Sequence, residues 1–249
     1  MSLGLHIDRV GALIEDKQWD LARVMSQSGL RLYPDTPELL RMSLIASYRL
    51  GDLYEALESS RHLITLSEEP RDLYNFGTLA LEFNRPSEAR AALERVVDSQ
   101  PEHLSARANL LAAYCETGDL DRAIELSRNV DVGRHPASTV ANFVCNLATV
   151  YRDAGEPGQA MGLYGHAMAL CEGWHPVAAS NRLYAANFAP SLSSAEIESL
   201  HCEWGAQIAQ RIGPDNREAM DSTTKHERPR IAFLSGDFRR HSVAYFLEP

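Results

Sequence analysis

The chain has 249 residues, of which 45% are hydrophobic and 23% are charged, so it can bury a core as ordinary globular proteins do. Its formal net charge of −10 opposes the phosphate attraction on which nucleic acids and anionic membranes depend, so neither partner is expected. The N-terminal residues do not resemble a secretory signal, and no apolar run is long enough for a membrane helix. The four cysteines form no CxxC pair, so the composition predicts a cytoplasmic protein without metal or cofactor.

A short polar turn, an alanine and an amphipathic helix recur five times along the chain. The alanines are Ala22, Ala56, Ala89, Ala123 and Ala160. They are separated by 34, 33, 34 and 37 residues. A small residue at this position lets the two helices of a hairpin approach closely. The extra residues before the fifth copy fall in the segment DVGRHP, which predicts a lengthened loop.

The residues that flank each alanine also favour helical hairpins. Glycine or asparagine at the turn suits the left-handed conformation that ends a first helix. These turn residues are Gly51, Asn84, Gly118 and Gly155. Pro34 and Pro101 lie twelve residues after their alanines and are expected to end the second helix. Together these features match the tetratricopeptide signature, so we expect an all-α superhelix of about five hairpins over residues 1–170, whose first helices line a concave surface.

Asparagine recurs at one place on the first helices of the last three hairpins. Asn75, Asn109 and Asn146 each precede their alanine by 14 residues, and Asn181 follows 35 residues later as a candidate continuation. The first two hairpins carry Asp8 and Met42 at this place.

A carboxamide carries both a donor and an acceptor, so a row of asparagines can bind the backbone of an extended polypeptide regardless of its side chains. The alternative is that asparagine is only tolerated at a polar helix position. A carboxylate clamp, which also uses asparagines, is disfavoured because the preceding residues are not basic. Those residues are Tyr74, Ala108 and Cys145.

Beyond Leu170 the period fails. Residues 171–212 predict a helical transition segment of two helices, the second capped by Ser193 or Ser194. One face of that second helix carries Ile197, Leu200, Trp204 and Ile208, with His201 at its rim. Residues 213–229 are polar and predict a linker, and residues 230–249 predict the first strand and helix start of an α/β lobe.

Two segments, SNRLYAANFAPSLSSAEIESLHCEWG and RPRIAFLSGDFRRHSVAYFLEP, resemble the bacterial branch of the O-linked N-acetylglucosamine transferase and SPINDLY-like family. That family joins tetratricopeptide repeats to two Rossmann-like lobes, and its DFxxH motif matches Asp237 to His241. The resemblance implies sugar transfer from a nucleotide sugar to serine or threonine of acceptor proteins, with His241 as a candidate general base. It also implies that Asn75, Asn109 and Asn146 bind the acceptor backbone.

The family's nucleotide-binding lobe would lie beyond Pro249. We therefore expect a truncated glycosyltransferase lobe, a chain that is inactive by itself, and nucleotide-sugar binding only in a full-length protein. Two alternatives remain open: a non-enzymatic tetratricopeptide scaffold, and a fucosyltransferase of the SPINDLY-like branch.

Overall fold

The computed structural model of the protein describes residues 2–212, and within that range it contains twelve α-helices and no β-strand. The helices are α1 (Leu3–Glu15), α2 (Trp19–Leu32), α3 (Pro37–Arg49), α4 (Leu53–Leu66), α5 (Pro70–Glu82), α6 (Pro86–Ser99), α7 (Leu104–Thr117), α8 (Leu120–Leu126), α9 (Ala137–Asp153), α10 (Pro157–Leu170), α11 (Pro176–Ala186) and α12 (Ser194–Ile212). The predicted all-α fold is confirmed for these residues. The predicted linker at 213–229 and the predicted strand at 230–249 lie outside them.

The first ten helices form five consecutive hairpins, in which an odd-numbered A helix packs against the following B helix. All five spaced alanines lie on B helices, and each is fully buried. A fully buried alanine leaves room for the partner helix to approach closely, so the observed burial agrees with the predicted reason for the alanine period.

The turn inside each hairpin uses one residue with a left-handed backbone. Gly51, Asn84, Gly118 and Gly155 have φ between 54° and 82°, as their residue types predict. The first hairpin has Lys17 at this place, with φ 58°, which residue type alone does not predict. The helices α2 and α6 end two residues before Pro34 and Pro101, as expected.

Replacing Lys17 by glycine is expected to raise the free energy of unfolding by about 0.5–1 kcal/mol, because a left-handed backbone is strained for residues that have a Cβ atom. Urea denaturation monitored by circular dichroism measures the change. The reverse substitution, Gly51→Lys in the second hairpin, is the matched control and should destabilise. A Lys17→Gly variant less stable than the wild type would contradict this account.

The fourth hairpin is the irregular one. Its B helix, α8, has seven residues, and residues 127–136 form the connection to α9. This connection contains the segment DVGRHP, so the predicted lengthened loop is confirmed. The following A helix, α9, has 17 residues and packs against both α7 and α10, so the stack continues past the short helix.

Contacts divide the chain into two compact units, residues 1–204 and residues 205–249. The hairpins lie in the first unit, and only the end of α12 is described in the second. The first unit has two hydrophobic clusters: a small one on α1–α3 that includes Val10 and Leu39, and a large one from α3 to α11 that includes Leu44 and Phe76. The helix α3 contributes to both.

Ion pairs tie the B helices of successive hairpins together. Arg23 of α2 bonds the N-cap Asp52 of α4 at 3.2 Å, and Arg61 of α4 bonds Glu88 of α6 at 3.0 Å. These residues are partly exposed, so each pair contributes little stability. On the B-helix side of the stack, these charged side chains are therefore already paired within the protein.

The backbones of α3 and α5 are not in close contact, but a buried ion pair joins the two helices. The guanidinium of Arg41 contacts both carboxylate oxygens of Asp72, with a shortest distance of 2.7 Å. Ser67 donates a further hydrogen bond to Asp72 at 2.7 Å, and Asp72 is 1% exposed. The carboxylate is therefore fully enclosed and depends on these two donors.

The segment after the fifth hairpin contains the two predicted helices. Ser193 caps α12: its hydroxyl accepts a hydrogen bond from the Glu196 backbone N–H, and Glu196 accepts in return from the Ser193 backbone N–H. Trp204 is half-buried, with its ring centroid 5.2 Å from that of Trp174, and His201 is exposed, as the predicted face requires. No helix in residues 2–212 is long and apolar enough to span a membrane.

Candidate functional site

The three asparagines occupy equivalent positions on consecutive A helices. Asn75 lies on α5, Asn109 on α7 and Asn146 on α9, and all three side chains are half-buried. Asn181 lies on α11 and is also half-buried. The A-helix face therefore presents a row of carboxamides, one from each of the last three hairpins.

Two of the three asparagines bond the preceding A helix. The Asn109 Nδ2 donates to Thr78 Oγ1 at 2.9 Å, and the Asn146 Nδ2 donates to the Ala108 carbonyl oxygen at 2.7 Å. Each bond uses one amide hydrogen, and neither Oδ1 accepts a hydrogen bond from a described residue. The row is thus continuous, and its acceptor oxygens remain available to a ligand.

Asn75 differs from the other two, because it makes no hydrogen bond to any described residue. The reason is the spacing of the A helices. Some Cα atoms of α5 and α7, and of α7 and α9, lie within 8 Å of each other, but no Cα atom of α3 lies that close to α5. A side chain as long as that of Arg41 reaches α5 from α3, but no described side chain of α3 bonds Asn75, whose carboxamide keeps its full donor and acceptor capacity.

The gap between α3 and α5 forms a groove of about 540 Å³, which we call the α3/α5 groove. Its lining includes Leu44, Ile45, Tyr48, Arg49, Tyr74 and Asn75. This volume is within the range of small-molecule and side-chain pockets, and the lining combines apolar walls with few polar groups. Asn75, at the start of the row, opens into this groove.

Sequence reasoning missed the α3 side of this groove. The position equivalent to the asparagines is occupied by Met42 in α3, so the pattern of asparagines does not extend to this helix. The residues that line the groove, Ile45 and Arg49, follow Met42 by three and seven residues, which places them on the same helix face. Extending the row by these helical steps would have found them.

The two cysteines on the A helices α7 and α9, Cys115 and Cys145, have raised pKa values. Burial, and next the nearby Asp153 carboxylate, raise the pKa of Cys115 to about 12. Burial raises the pKa of Cys145 to about 11. Both groups are therefore neutral thiols near neutral pH, and they act as small packing residues. The candidate general base His241 lies outside the described residues.

Comparison with known proteins finds tetratricopeptide repeats. Residues 74–128 match the family model described as "Tetratricopeptide repeat". No curated protein matches the sequence.

Several solved structures resemble the fold. PilW, described as a widely conserved type IV pilus biogenesis factor, is 15% identical with a TM-score of 0.63, covering 86% of this chain and 95% of PilW. YrrB, described as a tetratricopeptide protein with an unusual peptide-binding site, is 17% identical with a TM-score of 0.61, covering 71% and 90%. MamA from Desulfovibrio magneticus RS-1 is 20% identical with a TM-score of 0.57, covering 68% and 95%.

These similarities support the repeat architecture and do not indicate a glycosyltransferase. The hairpin period, the buried alanines, the left-handed turns and the matched repeat agree with one another. The described residues therefore have a tetratricopeptide-like fold, in which five hairpins are followed by the two helices α11 and α12.

Proposed function

We propose that the chain is a polypeptide-binding scaffold, and that its A-helix face holds an extended segment of a partner protein through the asparagine row. The observation that carries the proposal is the row itself, in which the hydrogen bonds of Asn109 and Asn146 use only their amide nitrogens and leave both carboxamide oxygens without a partner among the described residues. Stacked hairpins provide long surfaces of this kind. The peptide-binding site named for the similar YrrB is consistent with this use.

A second candidate is that this scaffold is the acceptor-recognition arm of a protein O-glycosyltransferase. The sequence motif from Asp237 to His241 favours it, and the similarities to solved structures favour the plain scaffold. The two are distinguished by assaying a full-length gene product for transfer from nucleotide sugars, with N-acetylglucosamine and fucose donors in separate reactions. Transfer that His241→Ala abolishes would support the enzyme, and no transfer from either donor would support the scaffold.

The test of the scaffold is a pair of variants measured with a fluorescently labelled, mixed-sequence peptide pool. The triple variant Asn75→Ala, Asn109→Ala and Asn146→Ala is expected to weaken binding about ten-fold or more, since each lost hydrogen bond costs on the order of 0.5–1.5 kcal/mol. It should also lose stability, because Asn109 and Asn146 tie neighbouring A helices together.

The single variant Asn75→Ala separates binding from stability. Asn75 has no hydrogen-bond partner among the described residues, so its loss should weaken binding while the thermal midpoint stays unchanged. Gln159→Ala, which removes an exposed carboxamide from the B helix α10, is the matched control and should change neither quantity. Unchanged affinity in both asparagine variants would contradict the proposal, and Asn109 and Asn146 would then serve only to tie neighbouring A helices together.

A further inference from the structure

We infer that the α3/α5 groove selects extended polypeptide segments in which a large aromatic or aliphatic side chain is followed, within one or two residues, by a carboxylate. This inference rests on the proposed polypeptide-binding function and names the segment that it prefers. It draws on three properties of the groove: exposed apolar walls, an unsatisfied carboxamide and a cation that lacks an internal carboxylate.

The apolar walls are the first property. Ile45 is 42% exposed and Tyr48 is 51% exposed, although both lie on α3 beside the buried Leu44 and Leu79. A groove of about 540 Å³ accommodates one large side chain together with the backbone next to it. Tyrosine offers a large contact area at a small cost in conformational entropy, and it is enriched among residues that dominate binding energy. The groove can therefore bury an aromatic or aliphatic side chain.

The second property fixes the form of the ligand. Asn75 lies in the groove with both its N–H donors and its Oδ1 acceptor unused by any described residue. A peptide group offers the complementary acceptor and donor, so one carboxamide can bind it through two hydrogen bonds. The next asparagine, Asn109, continues the row from α7. A small apolar molecule would contact the apolar walls of the groove but would leave the Asn75 carboxamide without a hydrogen bond. A polypeptide can contact the apolar walls with a side chain and bond Asn75 with its backbone.

The third property selects charge. Arg49 lies at the groove with its guanidinium carbon 5.6 Å from the Trp19 ring centroid. Most arginines of this stack lie within ion-pair distance of a carboxylate, as Arg41 and Arg61 do, but Arg49 has no such partner among residues 2–212. The stacked guanidinium is held in place and keeps its donors for a ligand carboxylate. The net charge of −10 disfavours a ligand with a long acidic run, so one carboxylate near the apolar side chain fits best.

The experiment uses the whole 249-residue chain and fluorescein-labelled peptides with a Gly/Ser/Thr backbone, measured by fluorescence anisotropy. The reference peptide carries phenylalanine followed by serine and aspartate. Two others replace phenylalanine by alanine or aspartate by asparagine. We expect the alanine peptide to bind at least about ten-fold more weakly and the asparagine peptide about three- to ten-fold more weakly, from the apolar and ionic contacts respectively.

Protein variants assign each preference to its residue. Tyr48→Ala should abolish the preference for phenylalanine, and Arg49→Met should abolish the preference for aspartate while keeping its side-chain packing. The matched controls make the same changes on exposed B-helix positions, Tyr54→Ala on α4 and Arg31→Met on α2, and should preserve both preferences. Circular dichroism confirms that each variant is folded.

The outcomes separate this inference from the proposed function. Equal binding of all three peptides, still weakened by Asn75→Ala, would overturn the inference and leave backbone binding by the row intact. Preferences that persist in Tyr48→Ala and Arg49→Met would also overturn it, since the selective residues would then lie elsewhere. No binding of these peptides or of the mixed-sequence pool would contradict the proposed function itself.

Discussion

Replacing Arg41 by methionine is expected to lower the free energy of unfolding by about 3–5 kcal/mol, because it leaves a buried carboxylate without its cation. Asp72 is 1% exposed, and its closest contacts are with Arg41 and Ser67 at 2.7 Å. Arg71 is 3.8 Å from Asp72 but is largely exposed, so it cannot take over the role of Arg41. Urea denaturation monitored by circular dichroism measures the loss.

Two further variants test this explanation. Arg71→Met removes an exposed guanidinium from the same neighbourhood and should cost less than about 1 kcal/mol. The double variant Arg41→Met with Asp72→Leu replaces the ion pair by an apolar pair and should recover most of the lost stability. A double variant as unstable as Arg41→Met alone would show that the loss comes from packing and not from the unpaired charge.

The same ion pair makes stability depend on pH. Burial alone would raise the pKa of Asp72, but hydrogen bonds from Arg41 and Ser67 outweigh it and hold that pKa below its ordinary value. The stabilisation is therefore complete above the ordinary carboxyl pKa of about 3.9 and is lost as the pH falls towards the lower pKa of the folded protein. The wild type should lose stability on acidification more steeply than the Arg41→Met, Asp72→Leu variant.

Replacing Gly77 by alanine is expected to destabilise the protein by about 1–3 kcal/mol, although alanine favours helices. A Cβ atom at Gly77 would lie 2.6 Å from Leu93 Cγ and 2.9 Å from Leu93 Cδ2, so Leu93 would have to move. Leu93 is fully buried between α5 and α6 and has little room to do so. Thermal and urea denaturation measure the change.

The matched control is the same substitution where space exists. A Cβ atom at Gly162 of α10 would meet nothing within 4 Å, so Gly162→Ala should raise stability by up to about 1 kcal/mol through helix propensity. The two alanine substitutions should therefore have opposite signs. A Gly77→Ala variant as stable as the wild type would mean that the contact with Leu93 relaxes without cost.

The sequence predicted the features that depend on residues close together in the chain. The buried alanines and the left-handed Gly118 follow from one turn and one helix, so their period is visible without a structure. Lys17 was missed because its left-handed backbone is imposed by the hairpin and not by its side chain. The seven-residue length of α8 was also not predicted.

The candidate site could not be predicted from the sequence, because it depends on the distance between successive A helices, and those helices belong to different repeats. The sequence pattern makes Asn75, Asn109 and Asn146 equivalent. In the structure, the side chains of Asn109 and Asn146 bond the preceding A helix and the side chain of Asn75 does not. The Arg41–Asp72 pair joins α3 to α5 across 31 residues of the chain, and the α3/α5 groove is lined by residues of the same two helices. Such distances become predictable only when the stacking is known.

The division of the core into two clusters has a consequence for how the protein opens. Of the two hydrophobic clusters, the first hairpin contributes only to the small one around Val10 and Leu39, whereas α3 is also anchored in the large cluster through Leu44. In a stack with neighbour-only contacts, the end with the least buried surface unfolds first. Backbone amides of α1 and α2 should therefore exchange their hydrogens with solvent faster than those of α5 to α7. A ligand bound in the α3/α5 groove should slow amide hydrogen exchange in α3 and, because α3 packs on the first hairpin, in α1 and α2 as well. Hydrogen exchange in the first hairpin would then report ligand binding at a distance from the ligand.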